Sequence, residues 1–246
     1  MFFLTVSEIK TMKTVILTAT YLAFISIANA KIQKETETLV YTSETHIRKD
    51  GSATEKFEIV GKVLTEAGRT KLSISKVNFF KSQETFLLVE AYTLTEGKKS
   101  LISPHSVRIT SSDRAEHGLS DAMEVAIPFD NISVGSEVHL RYDLIKKPII
   151  GNIFAAVVGL SNQELGKIEY YKFISEVPLL TAEKDFGRFF KITKINTDGK
   201  YTITIEPTQM AYAIEGARIE EADLSVTTAT SWKQVRELEA PLMSKL

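Results

Sequence analysis

The sequence predicts an all-β fold: a β-sandwich of about ten to twelve mostly antiparallel strands with a C-terminal helix. Three observations carry this. Apolar residues recur at every second position in many short runs, the period at which side chains leave one face of a pleated strand. Polar turn clusters, two of them containing Asp-Gly, break these runs at intervals of about eight to twelve residues. Helical spacing appears only near the C terminus, which argues against alternating βα units.

The clearest alternation lies in Met123–Leu144. Met123, Val125, Ile127 and Phe129 share one face, and Val138, Leu140, Tyr142 and Leu144 share another. The connector Asp130–Ser136 holds a single glycine suited to positive φ. These two strands are expected to be neighbours in an antiparallel sheet with one wet face. Upstream, Thr36–Arg48 alternates, Lys49-Asp50-Gly51-Ser52 reads as a hairpin turn, and Phe57, Ile59 and Val63 mark the return strand. Glu66–Arg69 reads as a turn, followed by a less regular strand over Lys71–Phe80. Phe86–Val89 is contiguous and apolar, as expected of a strand buried on both sides. Short strands follow at Lys99–Ile102 and Ser106–Thr110, then a polar loop over Ser111–Ala122.

Pro148–Leu160 is apolar with two glycines. It fits a buried strand pair, a core-packed loop or an exposed lip; burial at one end of the sheets is favoured, because large bare apolar patches are uncommon. Lys167–Val177 is a strand with Tyr171, Phe173 and Val177 on one face. Phe190–Ile195 and Tyr201–Ile205 flank the second Asp-Gly turn. Met210–Ile219 supports no single reading. Ser231–Ala240 reads as helix: Ser231 is an N-cap, Gln234 completes a capping box, and Trp232, Val235 and Leu238 form an apolar stripe ended by Pro241.

The N terminus is a targeting signal by its pattern. Lys10 and Lys13 precede an apolar stretch ending near Ile27, followed by Ala28-Asn29-Ala30. The run is shorter than the roughly 20 residues that span a bilayer, so cleavage after Ala30 is expected, and Met12 reads as a more usual start than Met1. The expected organisation is a signal peptide over 1–30, a β-sandwich domain over 31–224, and a linker with an amphipathic helix over 225–246. Export places the chain in the periplasm or outside the cell, with no stable membrane span after processing. The 246 residues carry a net charge of −1, which offers no basic surface for nucleic acid. There is no cysteine, so the fold must rest on its core rather than on disulfides.

Catalytic motifs are missing from the pattern. No cysteine is present for nucleophilic catalysis, and no G-x-S-x-G elbow or phosphate-cradling glycine loop occurs. His46, His105, His117 and His139 stand far apart and match no metal spacing. Glu183 with Asp185, and Glu220-Glu221 with Asp223, lie in polar stretches and read as solvated. The aromatics Tyr170, Tyr171, Phe173, Phe186, Phe189 and Phe190 read mostly as core, with a binding surface as the other possibility. No catalytic, cofactor or metal site is therefore expected.

The segments IRKDGS (Ile47–Ser52), YTLTEGK (Tyr92–Lys98), the Ile127-Pro128 step, Val134–Val138, Arg141-Tyr142, Gly151–Phe154, Val177-Pro178 and SVTTATSWKQV (Ser225–Val235) carry a family resemblance. Together, over roughly 37–236, they resemble a bacterial domain of unknown function that precedes transglutaminase-like domains on exported proteins. The resemblance implies a catalytic partner domain with Cys, His and Asp, and this chain holds none of that triad to carry over. The expected role is a non-catalytic exported module that binds a protein, peptide or polysaccharide. Contacts are expected at Ile150, Phe154, Val157, Trp232 and Val235. A second expectation is the accessory half of a split transglutaminase-like protease or amidase acting in trans. A third, a hydrolase or lyase, would use the His105–His117 loop with carboxylates.

Overall fold

The computed structural model describes residues 34–112, 121–148, 151–159, 168–184, 187, 189–208, 223–231 and 233–234. Met1–Lys34 and Glu35–Leu246 are separate units, and every described strand belongs to the second. The expected signal peptide lies outside the described residues.

The chain is mostly β, in several sheets whose pairs are antiparallel with one exception. Fourteen strands are described, more than the expected ten to twelve: β1 Thr36–Ile47, β2 Ala53–Val63, β3 Ile74–Phe80, β4 Glu84–Thr95, β5 Lys98–Leu101, β6 Arg108–Ser111, β7 Ala122–Pro128, β8 Glu137–Lys146, β9 Ala155–Gly159, β10 Ile168–Ser175, β11 Leu180–Lys184, β12 Phe190–Thr197, β13 Lys200–Pro207 and β14 Asp223–Thr227. A large sheet has the order β12-β13-β10-β1-β2-β8-β4-β5; β11-β14-β9 and β3-β7-β6 form two small ones. Among the described pairs only β1 with β10 is parallel, Thr45 facing Phe173.

One face of the large sheet is apolar and the other wet, as alternation requires. The apolar face is covered in two places. Phe173, Ile203, Ile205 and Phe190 from the large sheet cluster with Val158, Leu224 and Val226 of the β9 sheet. Leu140, Tyr142 and Leu144 cluster with Val77, Phe79, Val125 and Ile127 of the β3 sheet. The opposite face carries ion pairs: Lys172 lies 3.0 Å from Glu44. Tyr92 there is stacked on the His139 ring at 4.4 Å, with the Lys99 ammonium 3.8 Å over its ring.

The Asp-Gly turns form as expected. Gly51 has φ +78 and the Asp50 carboxylate accepts from Ser52 N–H at 3.0 Å. Asp198 and Gly199 have φ +52 and +75, the pair of positive values a tight hairpin needs.

Three expectations are corrected. First, β7 and β8 are not neighbours: β7 is central in a small sheet and β8 lies in the large one. Alternation assigns faces but not partners. The connector crosses between layers because Phe129 and Ile132 pack into the core and Gly135 N–H and Ser136 O are held by Val63. Second, Glu66–Leu72 is a helix, α1, not a turn. Thr65 caps it by accepting from Gly68 N–H at 3.1 Å. Third, β4 is not buried on both sides: Leu87 and Val89 are 46% and 50% exposed, since only one face of that sheet is covered. β14, Asp223–Thr227, is the central strand of its sheet.

Of the expected C-terminal helix over 231–240, Ser231, Lys233 and Gln234 are described, and the last two are helical. Ser231 Oγ accepts from Gln234 N–H at 3.2 Å, as an N-cap does, while the Gln234 side chain reaches back to Thr230 N–H at 2.8 Å rather than to Ser231. No helix among the described residues is long and apolar enough to cross a membrane.

Candidate functional site

The two small sheets leave a groove between them, of about 450 Å³, floored by the middle of the large sheet. Its floor follows from register. Tyr41 and Thr45 on β1, Glu55 and Phe57 on β2, Leu144 and Lys146 on β8, and Tyr171 and Phe173 on β10 all leave the covered face. β3 and β9, each the outer strand of its sheet, line the two sides.

Lys146 organises the polar end of the floor. Its Nζ lies 2.7 Å from Glu55 Oε2 and 3.4 Å from Glu84 Oε1. Ser43 Oγ donates to the other Glu55 oxygen at 2.7 Å. The backbone N–H of Phe80, at the end of β3, donates to Glu84 Oε2 at 2.9 Å. The three charged side chains are only 26%, 16% and 15% exposed, in the order Lys146, Glu55, Glu84. Burial pulls the Lys146 ammonium down, but Glu55 and Glu84 outweigh it and the net shift is upward.

Tyrosines surround this cluster. Burial, then the Glu55 and Glu169 charges, push the Tyr41 phenol from 10.0 up to about 12. Tyr171 and Tyr142 are raised for the same first reason, burial, with neighbouring Tyr41 adding to it. Tyr41 and Tyr171 rings sit 5.8 Å apart. The tyrosines are therefore neutral hydrogen-bonding and stacking surfaces at neutral pH, not bases. Carboxylates compensated by an ammonium suit the recognition of polar or cationic groups.

A second, wider cleft of about 940 Å³ lies at the hairpin end of the large sheet, lined by Arg48, Lys49, Lys56 and Lys200 with Glu176 and Asp198 among others. It is an open rim of charges of both signs.

Of the expected contact residues, two are described. Phe154 is 4% exposed and packs 6.3 Å from the Phe173 ring, so it is core that also lines the groove. Val157 is 68% exposed on β9. The apolar Pro148–Leu160 stretch thus supplies both a buried anchor and an exposed edge. Ile150, Trp232 and Val235 lie outside the described residues. Sequence reasoning missed Glu55, Glu84 and Lys146. Each sits at an inward position of its strand, and a charge on the apolar face of an alternating run was the available signal.

The histidines do not converge among the described residues. His46 pairs with Glu44 at 2.5 Å and His139 with Glu137 at 3.3 Å. His105 is exposed in a single 3₁₀ turn, and His117 lies outside the described residues. Among the described residues no group of three or more His, Cys, Asp and Glu is placed to hold a metal ion.

The arrangement defines a class: a layered, mostly antiparallel β domain with a partly enclosed polar groove between two small sheets over a shared larger one. The chain belongs to the family named domain of unknown function DUF3857, whose model matches residues 49–229. A Parabacteroides distasonis protein described as a "putative protease" has a similar fold, with a TM-score of 0.63 at 17% identity over 81% of this chain. This chain spans 41% of that one. The M1 zinc metallopeptidase of Deinococcus radiodurans aligns with a TM-score of 0.39 and 13% identity, over 79% of this chain and 42% of that one; so low a score carries no argument. No curated protein matches the chain.

Proposed function

We propose that this chain is a non-catalytic, exported β-sandwich module with a binding or accessory role. The observation that carries the reading is the groove itself. It is a partly enclosed polar site, and its one ammonium contacts both carboxylates rather than leaving them in unlike environments, as acid and base partners stand. The lack of any cysteine supports the same reading against thiol catalysis. The two covered regions of one sheet face support the sandwich. The lysines, apolar run and small-residue site before Lys31 support export to the periplasm or beyond.

A second reading is favoured by one observation. The chain's fold matches less than half of a larger protein described as a "putative protease". On that reading it is the accessory half of a transglutaminase-like protease or amidase whose Cys-His-Asp domain lies on another chain.

The test is a turnover survey. The chain is incubated with a diverse peptide mixture and with peptidoglycan fragments, and products are read by mass spectrometry. The binding-module reading expects no new termini. Turnover that disappears on Glu55→Gln or on His105→Ala with His117→Ala would sink it. Turnover seen only when a transglutaminase-like domain is added in trans selects the second reading.

A further inference from the structure

Among the described residues six strands end the three sheets: β12 and β5, β11 and β9, β3 and β6. Exposed edges invite pairing with other chains, and proteins blunt them with charge. Five of the six carry Lys, Arg or Glu: Lys191 and Lys194 on β12, Lys98 and Lys99 on β5, Glu183 and Lys184 on β11, Lys76 on β3 and Arg108 on β6. β9, with the sequence AAVVG, carries no charge and no proline. The edge left unguarded is one of the two that line the groove.

The ladder fixes which groups β9 offers. Thr228 N–H donates to Phe154 O at 3.0 Å, so Phe154 and Thr228 form a hydrogen-bonded pair. Pairing continues in register through Ala156 with Val226 and Val158 with Leu224. Bonded and non-bonded pairs alternate along an antiparallel ladder. The N–H and C=O groups of Ala155 and Val157 therefore point away from β14, toward the open edge. Across the groove the same count applies to β3. Phe129 N–H donates to Ser73 O and Lys81 N–H to Asp121 O, so the even-numbered residues of β3 face outward. One of those groups, Phe80 N–H, is already held by the Glu84 carboxylate, which occupies the place a strand carbonyl would take.

Charge narrows the occupant. The ionised side chains lining the groove are Glu55, Glu84 and Lys146, a net of one negative charge. Each carboxylate oxygen accepts from Lys146, Ser43 or Phe80 N–H and keeps capacity for a second donor. Val157 and Phe80, 68% and 39% exposed, provide apolar rims.

We propose that the groove takes an extended peptide segment of a partner protein, added as a strand to β9, with a lysine or arginine side chain seated on Glu55 and Glu84. Strand addition supplies affinity through the main chain, and the pocket at alternate side chains supplies the choice of partner. The proposal rests on the binding-module reading and names the partner's chemistry.

The probe is a fluorescent eight-residue peptide alternating threonine and valine with one central lysine, titrated into the full chain by anisotropy. Two controls replace the lysine with glutamate, or N-methylate the alternate amides that would face β9. The lysine peptide is expected to bind about tenfold or more tighter than either control. Val157→Pro should weaken it about tenfold without lowering the unfolding midpoint, because that N–H makes no bond within the sheet. Should this variant fail to fold, the N-methylated peptide asks the same question from the ligand side. Glu55→Gln combined with Glu84→Gln should bring the lysine and glutamate peptides to within about threefold. Equal affinity for all three peptides, or no binding of the lysine peptide at about 1 mM, overturns the proposal. Absence of both binding and cleavage removes the groove assignment and leaves the non-catalytic reading standing, whereas cleavage of the peptide removes that reading instead.

Discussion

Lys146 is the residue on which the groove's electrostatics turn. Two carboxylates held at 15–16% exposure are tolerable because one ammonium touches both. Removing one partner of a buried cluster strands the others. Lys146→Met is therefore expected to lower stability by about 1–3 kcal/mol, read as a shift of the urea midpoint. Adding Glu84→Gln to it should recover part of that loss. The pH dependence has a definite sign. The Lys146 pKa is raised in the fold, so its contribution is full below the unfolded value of about 10.4 and fades as pH climbs through the folded one. Tyr41 acts in the same direction. Its phenol ionises at about 12 in the fold against 10.0 unfolded, so the unfolded chain loses the proton first and stability falls from pH 10 upward. Equilibrium unfolding measured between pH 8 and 11 should show a plateau and then a decline beginning near pH 10; a Tyr41→Phe variant should show a shallower decline.

At the scale of elements, α1 shows how tertiary contact overrides propensity. Alanine is a better helix former than glycine by about 1 kcal/mol. A Cβ on Gly68 would nevertheless meet Glu35 O at 1.9 Å and Thr36 Cγ2 at 3.1 Å, where the chain enters β1. Gly68→Ala is thus expected to destabilise, by about 2 kcal/mol or more, and Ala67→Gly, on the exposed side, by no more than about 1 kcal/mol. Thermal melts of the two variants separate packing from propensity; a stabilised Gly68→Ala would contradict the contact. The same element explains part of what the sequence withheld. Thr65 with Glu66 was a readable cap, but a seven-residue helix between strands leaves too short a period to outweigh the neighbouring alternation. The faces of β1, β2, β8, β10 and β13 were legible, since each depends only on period two. The partners of β7 and β8 were not, because pairing is decided by where Phe129 and Ile132 pack. β9 and β14 were obscured too. They belong to a small sheet of five-residue strands, and AAVVG and DLSVT are too short for alternation to declare them. Glu55 and Lys146 keep step with Phe57 and Leu144 in the sequence, but only the register brings them together with Glu84 under one groove.

For the whole molecule, one sheet face supports two cores with a polar groove between them. Phe190, in one core, and Ile127, in the other, are 2% and 0% exposed, and they belong to different clusters. Truncating Ile127 to alanine is expected to cost about 2–5 kcal/mol and Phe190 about 3–5 kcal/mol. With no shared partners, the double variant should be additive within about 0.5 kcal/mol. Coupling well beyond that, in a double-mutant cycle by denaturant titration, would show that the cores are one. A single continuous core would close the groove and remove the binding site with it.

The open edge of β9 is the point at which fold and proposed role meet, and native-state amide hydrogen exchange reads it residue by residue. Ala156 and Val158 N–H groups, bonded to β14, should exchange slowly, while Ala155 and Val157, facing the groove, should exchange at least about a hundredfold faster. Uniformly slow exchange through Ala155–Val158 would mean that another strand already occupies the edge, and would contradict the account.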